Sequence, residues 1–125
     1  MKVADTSYIV EGLLRNKSLF ESENFLTPEL ALYEIVNALW KHEKLLGDIE
    51  NGLEYLEALD LLLEAGVITF VSCGKKVLAR AYKISITQKV AIYDSVFVAL
   101  AIESGMELST LDRDQKKVLE METSK

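Results

Sequence analysis

The six residues Val67–Ser72 read VITFVS, and they decide the class of fold. β-Branched and aromatic residues dominate this run with no polar alternation, as in a parallel strand buried on both faces. Upstream, a helix opening at Asp48 and reaching about Ala65 would place Glu50, Glu54 and Glu57 on one face before Gly66 ends it. Downstream, Lys75–Lys83 reads as a basic helix, and AIYDSVFVALAIESG (Ala91–Gly105) as a helix apolar on nearly every side, closed by Gly105. Toward the start of the chain, Lys2–Asp5 is a short strand followed by Thr6 and Ser7, which favour helix N-termini. Asn24–Leu26 is a second candidate strand. Thr27-Pro28-Glu29 reads as a helix start, with a hydroxyl cap, proline in the first turn and an acid at the positive end. The helix it opens should reach about Lys44 and bury Leu32, Ile35, Val36, Leu39 and Trp40. Met106–Thr110 is a last strand and Asp112–Glu120 a last helix. Strands alternating with helices predict an α/β layered domain with a mostly parallel sheet.

The 125 residues suit one domain, 1–125, with a single core. No apolar run approaches the roughly eighteen residues that span a bilayer, and MKVADTSYIV meets an acid at Asp5, unlike a secretory signal. One cysteine, Cys73, and one histidine, His42, cannot form an internal disulfide or a Cys/His metal site. The expected compartment is the cytoplasm. A net charge of −6 argues against a nucleic-acid partner, but its distribution is uneven. Acids crowd Glu43–Glu64, whereas Ala65–Tyr93 carries only bases: Lys75, Lys76, Arg80, Lys83 and Lys89. Such runs are ordinary solvated helix faces or one phosphate-attracting flank.

In parallel α/β sheets, sites form beyond the carboxyl ends of the strands. Asp5 and Asp112 both stand there. Glu34 lies in the second turn of the Pro28 helix, with Asn37 and Lys41 continuing a narrow polar stripe. Asp94 alone reads as an acid favouring a helix N-terminus. Together, the four acids sit at the ends or edges of apolar elements near one rim.

The blocks VADTS, PELALYEIVNAL, IYDSVFVALA and LSTLD resemble, in order and spacing, those of the PIN-domain family, most closely its small VapC-type toxins. That resemblance implies a three-layer α/β/α fold with four to five strands, the fifth drawing on Val118–Met121. It implies that Asp5, Glu34, Asp94 and Asp112 gather around divalent metal, with Thr6, Asn37 and Thr110 as their supporting neighbours. It further implies Mg²⁺- or Mn²⁺-dependent hydrolysis of RNA to a 5′-phosphate and a 3′-hydroxyl, a VapB-like antitoxin and a homodimer. An oxygen-only acid set suits such hard cations. Asp5 and Asp94 are the expected direct ligands, Glu34 and Asp112 completing the set directly or through water. The basic stretch Lys75–Lys83 would hold flanking phosphates. Two other roles fit the same fold: a housekeeping nuclease of RNA maturation, and a non-catalytic interaction module. A receiver domain would need an aspartate where VITFVS ends in Val71-Ser72.

Overall fold

A computed structural model describes residues 1–124. In chain order, the strands are β1 (Lys2–Ala4), β2 (Phe25–Pro28), β3 (Ile68–Val71) and β4 (Leu108–Ser109). The helices are α1 (Thr6–Leu14), α2 (Leu30–Lys41), α3 (Gly52–Glu64), α4 (Lys75–Gln88), α5 (Ile92–Ser104) and α6 (Arg113–Thr123). A 3₁₀ turn, Lys17–Phe20, follows α1, and a π-helical turn, His42–Leu46, extends α2. The sheet order is β3-β2-β1-β4, with every pairing parallel.

α5 is the central helix. Ser95–Ala101 are buried without a break as it packs on β1, β2, β4, α4 and α6. Burial of Val96, Phe97, Val98 and Leu100 stabilises by roughly 1.5–3 kcal/mol per side chain. That outweighs the helix-propensity deficit of a β-branched residue, under about 1 kcal/mol, so packing decides this element. α1, α2 and α3 pack on one another, with α2 meeting β2 and α3 meeting β3, consistent with a three-layer α/β/α arrangement.

Several boundaries differ from the sequence expectation. Thr27 and Pro28 belong to β2, paired with Phe70 and Val71, and helix α2 starts only at Leu30 after an uncapped Glu29. Pairing with β3 outcompetes capping. The Thr27 hydroxyl is consequently buried with no hydrogen-bond partner among the described residues. Proline is tolerated because β1 pairs with β2 only as far as Leu26, so the missing N–H on that side breaks no ladder bond. In α2 the buried stripe is Ala31, Ile35 and Leu39, at the i, i+4, i+8 spacing of one helix face. Val36 and Trp40 are instead 42% and 54% exposed.

Asp48 does not open α3. Asn51 caps it, accepting from Leu53 N at 3.1 Å, while Asp48 accepts from Arg15 at 3.3 Å and pairs with His42 Nδ1 at 2.9 Å. His42 thereby holds the turn below α2. Strand β3 lies at the sheet edge with Thr69 exposed, rather than buried on both faces. β4 shrinks to two residues at the opposite edge. Val118–Met121 is part of α6, where Val118 is buried, so the sheet of the described residues has four strands and no fifth.

Candidate functional site

Asp5 directly follows the central strand β1 and caps α1. Its side chain is only 4% exposed. Oδ1 accepts from Ser7 Oγ at 2.7 Å and from Tyr8 N at 3.1 Å, and Oδ2 accepts from Thr110 Oγ1. Burial pushes this carboxyl above the ordinary aspartate range and the nearby Asp112 charge adds to the rise, while the three donors oppose it. Backbone pairing supports the placement, because Asp5 N donates to Ser109 O at 3.1 Å and so joins the ends of β1 and β4.

Glu34 reaches the same rim from α2, where Oε1 accepts from Thr6 Oγ1 at 2.7 Å. Burial raises its pKa first, followed by the charges of Asp94 and Asp5. Asp94 stands in the exposed first turn of α5, with no side-chain hydrogen bond of its own among the described residues. Partial desolvation raises its pKa, and Asp112 and Asp114 raise it further. Asp112 caps α6: its Oδ1 accepts from Asp114 N at 2.9 Å and Gln115 N at 3.4 Å. Its own N–H donates to Thr110 Oγ1 at 3.0 Å.

The four predicted acids therefore form a closed electrostatic ring: Asp5 with Glu34, Glu34 with Asp94, Asp94 with Asp112, and Asp112 with Asp5. Among the described residues, the charges shifting Asp5, Glu34 and Asp94 are carboxylates. Among the described residues, however, no three Asp, Glu, His or Cys side chains stand in metal-ligating geometry. The acids are in electrostatic reach of one another without converging on a point.

The predicted neighbours divide. Thr6 and Thr110 bond directly to the acids, whereas Asn37 is exposed one turn beyond Glu34 and no hydrogen bond ties it to them among the described residues. Sequence reading missed Ser7 and Asp114. Each lies two residues after a predicted acid, in DTS and DRD, and their importance is visible only as contacts made around the rim. The basic helix is less available than its composition suggests. Arg80 Nε donates to Glu103 at 2.7 Å and Lys76 Nζ stands 3.6 Å from the same carboxylate, beside a cleft of about 600 Å³ that Lys83 also lines.

The donor chemistry of the ring fits a hard divalent cation: carboxylates and hydroxyls, a buried member and, among the described residues, no base among the charges that shift it.

The chain is similar to known proteins in sequence and in fold. Ribonuclease VapC3 of Pyrobaculum aerophilum is 33% identical over 101 residues, which cover 78% of this chain and 72% of that protein. Two crystal structures share the fold. PAE2754 from P. aerophilum superposes with a TM-score of 0.70 at 19% identity, covering 94% of this chain and 83% of the other. Mycobacterium tuberculosis VapC20, described as a sarcin–ricin-loop-cleaving toxin, superposes with a TM-score of 0.70 at 15% identity, covering 94% of both chains. The sequence profile of the PIN domain matches residues 2–120, so that β1, the rim carrying all four acids and most of α6 fall inside it, and the chain belongs to the PIN-domain family.

Proposed function

We propose that this chain is a metal-dependent endoribonuclease and the toxin of a VapBC-type toxin–antitoxin pair. The observation that carries the reading is the placement of Asp5, Glu34, Asp94 and Asp112 at one rim, Thr110 joining Asp5 to Asp112, Thr6 holding Glu34 and Asp94 in the first turn of α5, each acid within electrostatic reach of the next. Membership of the PIN-domain family and the likeness to a named ribonuclease support it. Asp5 and Asp94 would hold Mg²⁺ or Mn²⁺ directly, with Glu34 and Asp112 completing the set directly or through water. When bound, such a cation supplies charge neutralisation and Lewis-acid assistance for phosphodiester hydrolysis.

The chain's own residues do the positioning. Thr6 holds the Glu34 carboxylate at 2.7 Å, and Thr110 holds Asp5 with one proton while its oxygen accepts the Asp112 amide. Two helix caps, Asp5 on α1 and Asp112 on α6, fix their carboxylates to rigid elements. Asn37, exposed one turn beyond Glu34 on α2, would support the acids from that helix. Lys75 and Lys83 would meet flanking phosphates, since Glu103 already engages Lys76 and Arg80.

For the partner, α2 and α3 leave an apolar groove that runs past Tyr33, Val36, Trp40, Leu53 and Leu56, with Glu43, Lys44 and Asp60 along it. An amphipathic antitoxin segment suits that chemistry. A homodimer acting in the cytoplasm completes the proposal.

The direct test is incubation of purified protein with structured cellular RNA, in chelator and in Mg²⁺ or Mn²⁺. Cleavage is expected only with metal, and Asp94→Asn should lose it by orders of magnitude while remaining folded. Metal-dependent cleavage retained by a rigorously purified Asp94→Asn protein would overturn the assignment.

A further inference from the structure

We propose that Ser7 is a positioning residue of this site: its hydroxyl leaves Asp5 a single oxygen with which to hold a cation, and ties the Asp112 loop to that carboxylate. The inference rests on the metal-dependent reading above and follows from counting protons. A serine or threonine hydroxyl has one proton to donate and lone pairs to accept. Ser7 Oγ spends its proton on Asp5 Oδ1 at 2.7 Å, and Thr110 Oγ1 spends its proton on Asp5 Oδ2. The two hydroxyl oxygens lie 3.4 Å apart, and no proton remains to bond them to each other. Each then accepts an amide of the β4–α6 connection: Leu111 N donates to Ser7 Oγ at 3.1 Å, and Asp112 N to Thr110 Oγ1 at 3.0 Å.

The Asp5 carboxylate is therefore filled unequally. Oδ1 takes two donors, Ser7 Oγ and Tyr8 N, whereas Oδ2 takes only Thr110 Oγ1. With about two lone-pair sites per oxygen, Oδ1 is saturated and Oδ2 keeps one site open. With Oδ1 so occupied, Oδ2 is the oxygen through which Asp5 would hold a cation. Through Leu111, Ser7 also adds a tie between the Asp5 carboxylate and the chain beside Asp112, a link spanning 104 positions of sequence. The bond from the Leu111 amide to Ser7 Oγ is itself exposed, so protection of that amide depends on the Ser7 hydroxyl.

The test uses the full chain, with wild type, Ser7→Ala and Ser7→Thr compared in three measurements: amide exchange at Leu111 in chelator, Mn²⁺ half-saturation, and RNA cleavage. In wild type, Leu111 is expected to exchange slowly despite its exposure. Ser7→Ala should remove that protection and raise the Mn²⁺ half-saturation by about 10- to 100-fold, the range for losing a group that orients a ligand. Ser7→Thr, which keeps the hydroxyl, should restore both. Unprotected Leu111 in wild type overturns the proposal even where Ser7→Ala does not fold. A Ser7→Ala protein with normal Leu111 protection and Mn²⁺ half-saturation overturns it while wild-type cleavage leaves the ribonuclease reading intact. Absence of any Mn²⁺ response in wild type overturns the metal reading and this proposal together.

Discussion

Thr110 and Asp5 are 105 positions apart in the chain, yet the Thr110 hydroxyl donates to Asp5 Oδ2 in the buried rim between β1 and β4. The same threonine oxygen accepts the Asp112 amide, so one side chain serves two of the four acids. Thr110→Val keeps the shape and removes both functions. It should destabilise the metal-free protein by about 1–3 kcal/mol, the cost of leaving buried polar groups unpaired, while Thr110→Ser recovers most of that loss. Denaturant unfolding in chelator measures it. A valine variant as stable as wild type would show that the Asp5 carboxylate draws no support from Thr110.

Asp112 has two separable roles, as a charge in the ring and as the cap of α6. Asn caps helices about as well as Asp, whereas Ala forfeits about 1 kcal/mol. Asp112→Asn should therefore match or exceed wild-type stability in chelator, and Asp112→Ala should fall below it. Mn²⁺ should raise the melting temperature of wild type by mass action and that of either variant much less. Equal metal responses in all three proteins would remove Asp112 from the site.

The raised carboxyls of Asp5, Glu34 and Asp94 carry a definite pH sign. In the folded chain they hold protons more tightly than at their unfolded values of 3.8 for Asp and 4.5 for Glu. Their favourable contribution is complete below those values and disappears as pH rises through the raised folded values. Asp48, lowered mainly by its His42 hydrogen bond, and Glu103, lowered mainly by Arg80, work in the opposite direction. Asp94→Asn isolates one member. In chelator, its stability relative to wild type should climb as pH passes from 3.8 through the raised Asp94 value, then level off. A difference independent of pH would mean that Asp94 ionises as it does in the unfolded chain.

The exposed face of Trp40 separates partner binding from catalysis. Because the side chain is 54% exposed, Trp40→Ala should leave folding and RNA cleavage close to wild type. It should weaken the antitoxin by about 2 kcal/mol or more if this aromatic anchors the interface. Titrating cleavage with the cognate antitoxin reads that difference. Unchanged inhibition would place the partner on another surface.

How far the sequence reaches is clearest from individual residues. Local pattern was enough for the alternation of strands and helices, for the buried run of α5 closed at Gly105, and for the four acids at element ends, because periodicity and punctuation are properties of neighbouring residues. Competition between distant segments decided the rest. Thr27 and Pro28 look like a helix start until β3 pairs with them. Val36 and Trp40 look like core until α2 turns Ala31, Ile35 and Leu39 inward. VITFVS reads as a strand buried on both faces, but the order β3-β2-β1-β4 puts it at an edge, with Thr69 exposed. Within the rim, the acids were legible as residue types, whereas the bonds from Ser7 to Leu111 and from Thr110 to Asp5 join opposite ends of the chain. Hydrogen bonds and carboxylate repulsion act over a few ångströms of space whatever the separation in sequence, so only the folded chain brings those partners within range.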